Sequence, residues 1–169
     1  QELALDLEDG ERADSIELRL EAATTLVLEL RTTAGETPNR VFYSTIGADG
    51  SEARTGFALP DTDGQLRIES LPLGPAIILL RAFGFAVVEL PAVVPSAPLR
   101  VVVAPEARVD LSIPTLAGSG RVLFTLERTG GGVFREPANP RGEFLAVNGA
   151  AVVAGLPAGD WTVVVKATE

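Results

Sequence analysis

The sequence predicts an all-β chain of two tandem antiparallel Greek-key β-sandwich domains. Three observations carry that expectation. Apolar and polar residues alternate with a period of two through most of the chain, as in strands with one buried face. Gly or Pro punctuates nearly every junction between such runs. The third is an internal repeat: residues 15–30 align without a gap with residues 98–113 at an offset of 83, and residues 64–74 align with residues 149–159 at an offset of 85. A repeat of this period names the folding unit and argues against a single active site.

Taken in order, the first amphipathic strand is residues 16–20, where Ile16, Leu18 and Leu20 share a face and Glu17 and Arg19 point away. Leu26, Leu28 and Leu30 repeat the pattern with Glu29 and Arg31 outside. Further strands are expected at residues 41–46, 65–69, 76–83, 85–90, 99–103, 109–113, 121–127, 143–147, 150–153 and 161–166. The single helical suspect, residues 105–108, also reads as a connection between strands. Asp49-Gly50 and Asp63-Gly64 place Gly where positive φ makes hairpin turns. At Leu71-Pro72-Leu73-Gly74 and Leu156-Pro157-Ala158-Gly159 a core Leu ends one strand, Pro fixes φ and Gly allows the left-handed residue before the next strand. Pro72, Gly74, Pro157 and Gly159 are therefore corner residues. Many short strands in units of this size point to sandwiches, with residues 16–97 as the first, residues 98–169 as the second, and residues 1–15 as an N-terminal strand and linker.

Composition narrows the function. A net charge of -9 from 23 acidic and 14 basic residues argues against nucleic acid, which needs a clustered basic surface. No apolar run approaches the length of a membrane span, since Arg81 and Gly84 break the longest ones. The chain has no Cys, His or Met, which removes thiolate nucleophiles, imidazole bases and the commonest soft metal ligands together. No enzyme activity and no cofactor are expected. A chain beginning at Gln1 is expected to be a processed one, and loss of a secretion signal would place it outside the cell or on its surface.

The order Thr62-Asp63-Gly64-x-Leu66-x-Ile68-x-x-Leu71-Pro72-x-Gly74, followed by an apolar strand and a further Gly, resembles the carboxypeptidase regulatory-like domains. These are transthyretin-like or prealbumin-like sandwiches, Ig-like in outline, found in tandem in bacterial secreted and surface proteins. The second copy has Asn148-Gly149 in place of Asp-Gly, and the strand that the family commonly opens with Tyr carries Ala76 in one copy and Trp161 in the other. The resemblance implies a non-catalytic module: a stalk, spacer or adhesive sandwich. The zinc carboxypeptidase itself is not implied, since its ligands require His.

Asp61 and Asp63, with Asp49 nearby, are weak calcium candidates. An EF-hand register places Leu59 at the first position and Ser70 at the last, so that template fails and a solvated hairpin is the default. Lys166 is the single lysine, and sandwiches of the collagen-adhesin type form Lys–Asn isopeptide bonds. That chemistry puts Lys on an early strand, whereas Lys166 lies late and aligns with Arg81; Asn39, Asn139 and Asn148 are the available asparagines. Phe42 and Tyr43 face opposite ways on one strand, which leaves one aromatic for a glycan to stack on, while Phe124, Phe144 and Trp161 read as core. Nothing brings Glu127 and Glu136 together as a hydrolase pair.

The phase of the repeat is the sharper clue. Ala4-Leu5-Asp6-Leu7 aligns at the same offset of 83 with Val87-Val88-Glu89-Leu90, so residues 2–8 look like the last strand of a unit, and the second unit lacks the counterpart of residues 85–90. A strand with Leu3, Leu5 and Leu7 on one face could complete a neighbour's second sandwich and build a head-to-tail homopolymer. It could equally pair within its own chain, or belong to a tandem array whose neighbouring domains are its partners. The alternative function is an accessory module binding carbohydrate or protein.

Overall fold

The computed structural model describes residues 24–114 and 120–166, and every regular element in them is a strand. Those expected at residues 2–8 and 16–20, with Leu3, Leu5 and Leu7, lie outside the described residues. Among the described residues the first unit has seven strands: β1 (Thr24–Thr32), β2 (Val41–Gly47), β3 (Glu52–Ala58), β4 (Gln65–Leu71), β5 (Gly74–Ala82), β6 (Val88–Val94) and β7 (Leu99–Val103). They form two sheets, ordered β4-β1-β7 and β3-β2-β5-β6. Alternation does the sorting. Leu26, Leu28 and Leu30 of β1 and Leu66 and Ile68 of β4 meet Val41, Tyr43, Ile78 and Leu80 of the facing sheet in one core. All pairings are antiparallel except β1 with β7, which run parallel from Leu28↔Leu99 to Thr32↔Val103.

The second unit comprises β8 (Ala107–Ser112), β9 (Arg121–Arg128), β10 (Phe144–Val147), β11 (Ala150–Leu156) and β12 (Trp161–Val165), hydrogen-bonded in the order β12-β9-β10-β11-β8. A single ladder pair, Val147↔Ala150, joins β10 to β11 across the Asn148-Gly149 turn, where both residues have positive φ (51° and 77°). Two consecutive left-handed residues are what a tight type I′ hairpin needs. The arm β12-β9-β10 and the arm β11-β8 enclose Phe124, Leu126, Ala146, Val153 and Leu156.

The repeat is conserved down to its register. Thr24 pairs with Leu71 and Leu26 with Ile68, so two residues of β4 oppose one of β1. At the aligned positions Ala107 pairs with Leu156 and Val109 with Val153, the same bulge in the second copy. Its left-handed residue is Ser70 (φ 59°) in one and Gly155 (φ 81°) in the other.

Two expectations need correcting, and a reading left open between helix and connection is decided. Residues 99–103, assigned above to the opening of the second sandwich, close the first: β7 pairs with β1, and Val101 is buried in the first core. The boundary drawn between 97 and 98 therefore moves beyond Val103. Alternation reveals which face of a strand is buried but not which sheet it joins, and a parallel partner far away in sequence leaves no local signal. β3 was not anticipated, because Glu52-Ala-Arg-Thr-Gly-Phe-Ala58 lacks an alternating apolar set. Residues 105–108 are a connection and the start of β8, not a helix; Pro105 bridges to Phe85.

The two units lean on each other. The turn after β5 enters the second unit: the Val87 amide donates to the Gly155 carbonyl at 2.8 Å, and the Val87 side chain is buried in the second core. Beside it, the Arg81 guanidinium donates to Glu136 Oε2 at 2.7 Å and to Glu106 Oε2 at 3.1 Å. Arg135 of the second unit reaches Glu89 of the first.

Candidate assembly interface

Because register is preserved, each strand of the second unit can be compared with its counterpart. β8 corresponds to β1 and β12 to β5. In the first unit β7 covers the outer edge of β1 and β6 covers that of β5. Among the described residues nothing pairs with the outer edges of β8 and β12.

The side chains record the difference. Leu26, Leu28, Ile78 and Leu80 are each 0% exposed. At the aligned positions Val109, Leu111 and Val163 are only half-buried, and Val165 is 42% exposed. Trp161, aligned with the buried Ala76, is also half-buried; its Nε1 donates to the Pro157 carbonyl at 3.1 Å, and the Arg128 guanidinium lies 6.0 Å from its ring centre. Among the described residues the second core is thus left uncovered along two strand edges that carry backbone donors and acceptors. An extended segment adds to such edges by main-chain hydrogen bonds while its alternate side chains fill the core.

The other candidate residues are placed as follows. Asp61 Oδ1 accepts from the amides of Asp63 at 2.9 Å and Gln65 at 2.8 Å, so this carboxylate holds the turn together. The Asp63 carbonyl accepts from Arg31 at 2.8 Å. Among the described residues no three acidic side chains gather as a metal would require. Asp49 Oδ1 accepts from the Ser51 hydroxyl at 2.6 Å and amide at 3.0 Å, which hold its carboxyl below the usual range. Pro72 and Pro157 follow the buried Leu71 and Leu156, and Gly74 (φ 110°) and Gly159 (φ 148°) lie in the left-handed half of φ space at both corners. Lys166 is engaged by Glu143, and Asn139 donates to the Glu143 carbonyl at 2.7 Å. Glu136 is held by Arg81 while Glu127 stands exposed on β9.

Two features were missed in the sequence. Phe57 on the unanticipated β3 is 69% exposed and stacks on Phe42 with ring centres 4.4 Å apart. Phe134, in the connection between β9 and β10, is buried against Phe144 and Trp161 with ring centres at 5.7 Å. The signal for Phe134 was an aromatic inside a Gly-rich and Pro-rich stretch, where a loop has little other reason to hold one. Between the units lies a cleft of about 720 Å³ bordered by Ile46, Glu89, Arg135, Arg141 and Glu143. On its border Glu89 is ion-paired with Arg135, and Glu143 is engaged by Lys166.

No protein-family profile matches the chain, and no curated protein matches it. Solved structures are similar to it at low identity. The Bacillus anthracis TIE protein matches 86% of this chain and 28% of its own, with 13% identity and a TM-score of 0.37. A streptococcal ancillary pilin matches 85% of this chain and 53% of its own, with 16% identity and a TM-score of 0.33. A single B repeat unit of the collagen-binding surface protein of Staphylococcus aureus matches 87% of each chain, with 12% identity and a TM-score of 0.37. The chain spans from about a quarter to about half of the first two of these.

Proposed function

We propose that the chain is a non-catalytic structural or adhesive segment of an extracellular or cell-surface protein, and that it assembles head to tail. Residues 2–8 of one copy add a strand to the second sandwich of the next. The observation that supports this reading is the half-open core: Val109, Leu111, Val163 and Val165 are left partly in water where the first unit buries its counterparts completely. Each leucine moved from water into such a core stabilises by about 1.5–3 kcal/mol, so Leu3, Leu5 and Leu7 can hold a durable joint. The contact is heterologous and propagates without closing.

Sedimentation of the full chain over a range of concentrations tests it. Concentration-dependent oligomers that vanish on deleting residues 1–9 are expected. A monomer at every concentration, unchanged by the deletion, overturns the assembly reading.

The Phe42–Phe57 stack supports a second reading, an accessory module that binds glycan, because an exposed flat ring beside Arg40 suits a sugar face. A glycan-array hit lost in Phe57→Ala would favour it.

A further inference from the structure

We infer that the joint between copies consists of two strands, not one: residues 16–20 run parallel to the neighbour's β8 while residues 4–8 run antiparallel to its β12. This rests on the head-to-tail reading and specifies its contacts. The offset of 83 that carries β1 onto β8 also carries residues 16–20 onto β7 and residues 4–7 onto residues 87–90. In the first unit those last two segments are the strands that seal the sandwich: β7 on the edge of β1, and β6 on the edge of β5. Residues 4–20 therefore carry a sealing pair in sequence. The second unit is short of that pair among its described residues.

The register follows by equivalence. Leu28↔Leu99 and Leu30↔Val101 translate to Leu111 opposite Ile16 and Ile113 opposite Leu18. Ile78↔Leu90 and Leu80↔Val88 translate to Val163 opposite Leu7 and Val165 opposite Leu5. Leu111, Ile113, Val163 and Val165 thus each meet an aliphatic side chain, while Val109 and Trp161 lie beyond the ends of the two arms. The antiparallel arm ends by residue 8, since Asp9 and Glu11 fall where Ala92 and Val94 are buried. On the outer face, Glu17 and Ser112 replace Arg100 and Glu29, which form a 3.1 Å ion pair. Residues 21–23, leading from the donated strand into β1, match residues 104–106 between β7 and β8, so successive copies repeat the spacing of the two units inside one chain.

The chain contains no cysteine, which makes cross-linking a clean test. Chains carrying Glu17→Cys are mixed with chains carrying Ser112→Cys and oxidised mildly; opposed Cα atoms of paired strands lie within disulfide reach. The expected result is a 17–112 cross-link between chains, forming roughly tenfold faster than one between Glu17→Cys and Asp110→Cys chains, because docking raises the local concentration in one register only. Asp6→Cys with Val164→Cys reads the antiparallel arm in the same way. Oligomers in sedimentation with no preference for 17–112, or with 17–112 but no 6–164 cross-link, overturn the two-strand joint and leave head-to-tail assembly standing. A disulfide formed inside monomers of the Glu17→Cys/Ser112→Cys chain overturns both, as does the absence of oligomers.

Discussion

The two units share one register and one bulge, yet they fill their cores by different means. Tyr43 pairs with Leu80 in the first unit, and Phe124 pairs with Val165 at the matching place in the second. Opposite Tyr43 stands Gly56, where a Cβ would lie 3.0 Å from the tyrosine oxygen; opposite Phe124 stands Phe144. The first unit thus makes room for its ring and seals the core with β6 and β7. The second extends its ring into a chain of contacts from Phe124 through Phe144 and Phe134 to Trp161, and draws Phe134 from a loop instead of a strand. Aromatic bulk replaces part of the cover that strands give elsewhere, and among the described residues no strand covers the outer edges of β8 and β12.

The largest expected effect breaks this contrast at Phe134. Phe134→Ala removes the ring that holds Phe144 and Trp161 together, at a cost of about 3–5 kcal/mol confined to the second unit. Trp161 is the single tryptophan and lies in that unit, while Tyr43 is the single tyrosine and lies in the first. Denaturation followed by Trp161 fluorescence should shift to lower denaturant, while an amide-exchange probe on β1 stays put. Equal shifts at both would mean that the units unfold as one.

The bulge offers the next test. Ser70 tolerates φ 59° on an open surface, but a Cβ at Gly155 would lie 2.9 Å from Arg81 Nε. Gly155→Ser is expected to cost about 2–3 kcal/mol from the left-handed backbone and the displaced guanidinium. Ser70→Gly should change stability by less than about 1 kcal/mol. Similar losses at both positions would show that the two bulges are interchangeable after all.

Much of this was legible in the sequence. The alternation of Leu26, Leu28 and Leu30 fixed the buried face of β1, and the paired Leu-Pro corners fixed the repeat that the register then bore out. What could not be read were matters of partnership. β3 has no apolar alternation because its exposed side carries Phe57 and its pairing face needs Gly56 small. β7 gives no hint that its partner is β1. The open edges could be located only once both were placed, because an edge is defined by the strand that fails to cover it.

Arg81 sharpens the comparison at the junction between units. Its two carboxylate partners come from the connection before β8 and from the loop that carries Phe134. Arg81→Ala should cost about 1–2 kcal/mol, less than two charge-assisted hydrogen bonds in a dry interior, because the three side chains remain 28%, 27% and 19% exposed. The loss should appear as wider separation between the unfolding transitions of the two units. Its aligned residue, Lys166, is engaged within its own unit by Glu143, so Lys166→Ala should leave that separation unchanged.

The smallest expected effect is electrostatic, and it distinguishes the units by mechanism. Each has a carboxylate held below its ordinary range. Asp49 is lowered by the Ser51 hydroxyl and then the Ser51 amide, both neutral donors; Glu143 is lowered by its hydrogen bond to Lys166 and then by that ammonium's charge. A carboxylate lowered on folding adds stability above its unfolded value, 4.5 for glutamate, and that contribution fades as pH falls through the folded value. Carboxyl-carbon titration by NMR should show Lys166→Gln returning Glu143 toward 4.5 and Ser51→Ala raising Asp49. Salt separates the two cases: about 1 M salt shrinks the Debye length to about 3 Å, so the lowering of Glu143 should weaken while that of Asp49 persists. If both move together with salt, then charge rather than hydrogen bonding governs Asp49, and the first unit's turn is held differently from the way its geometry implies.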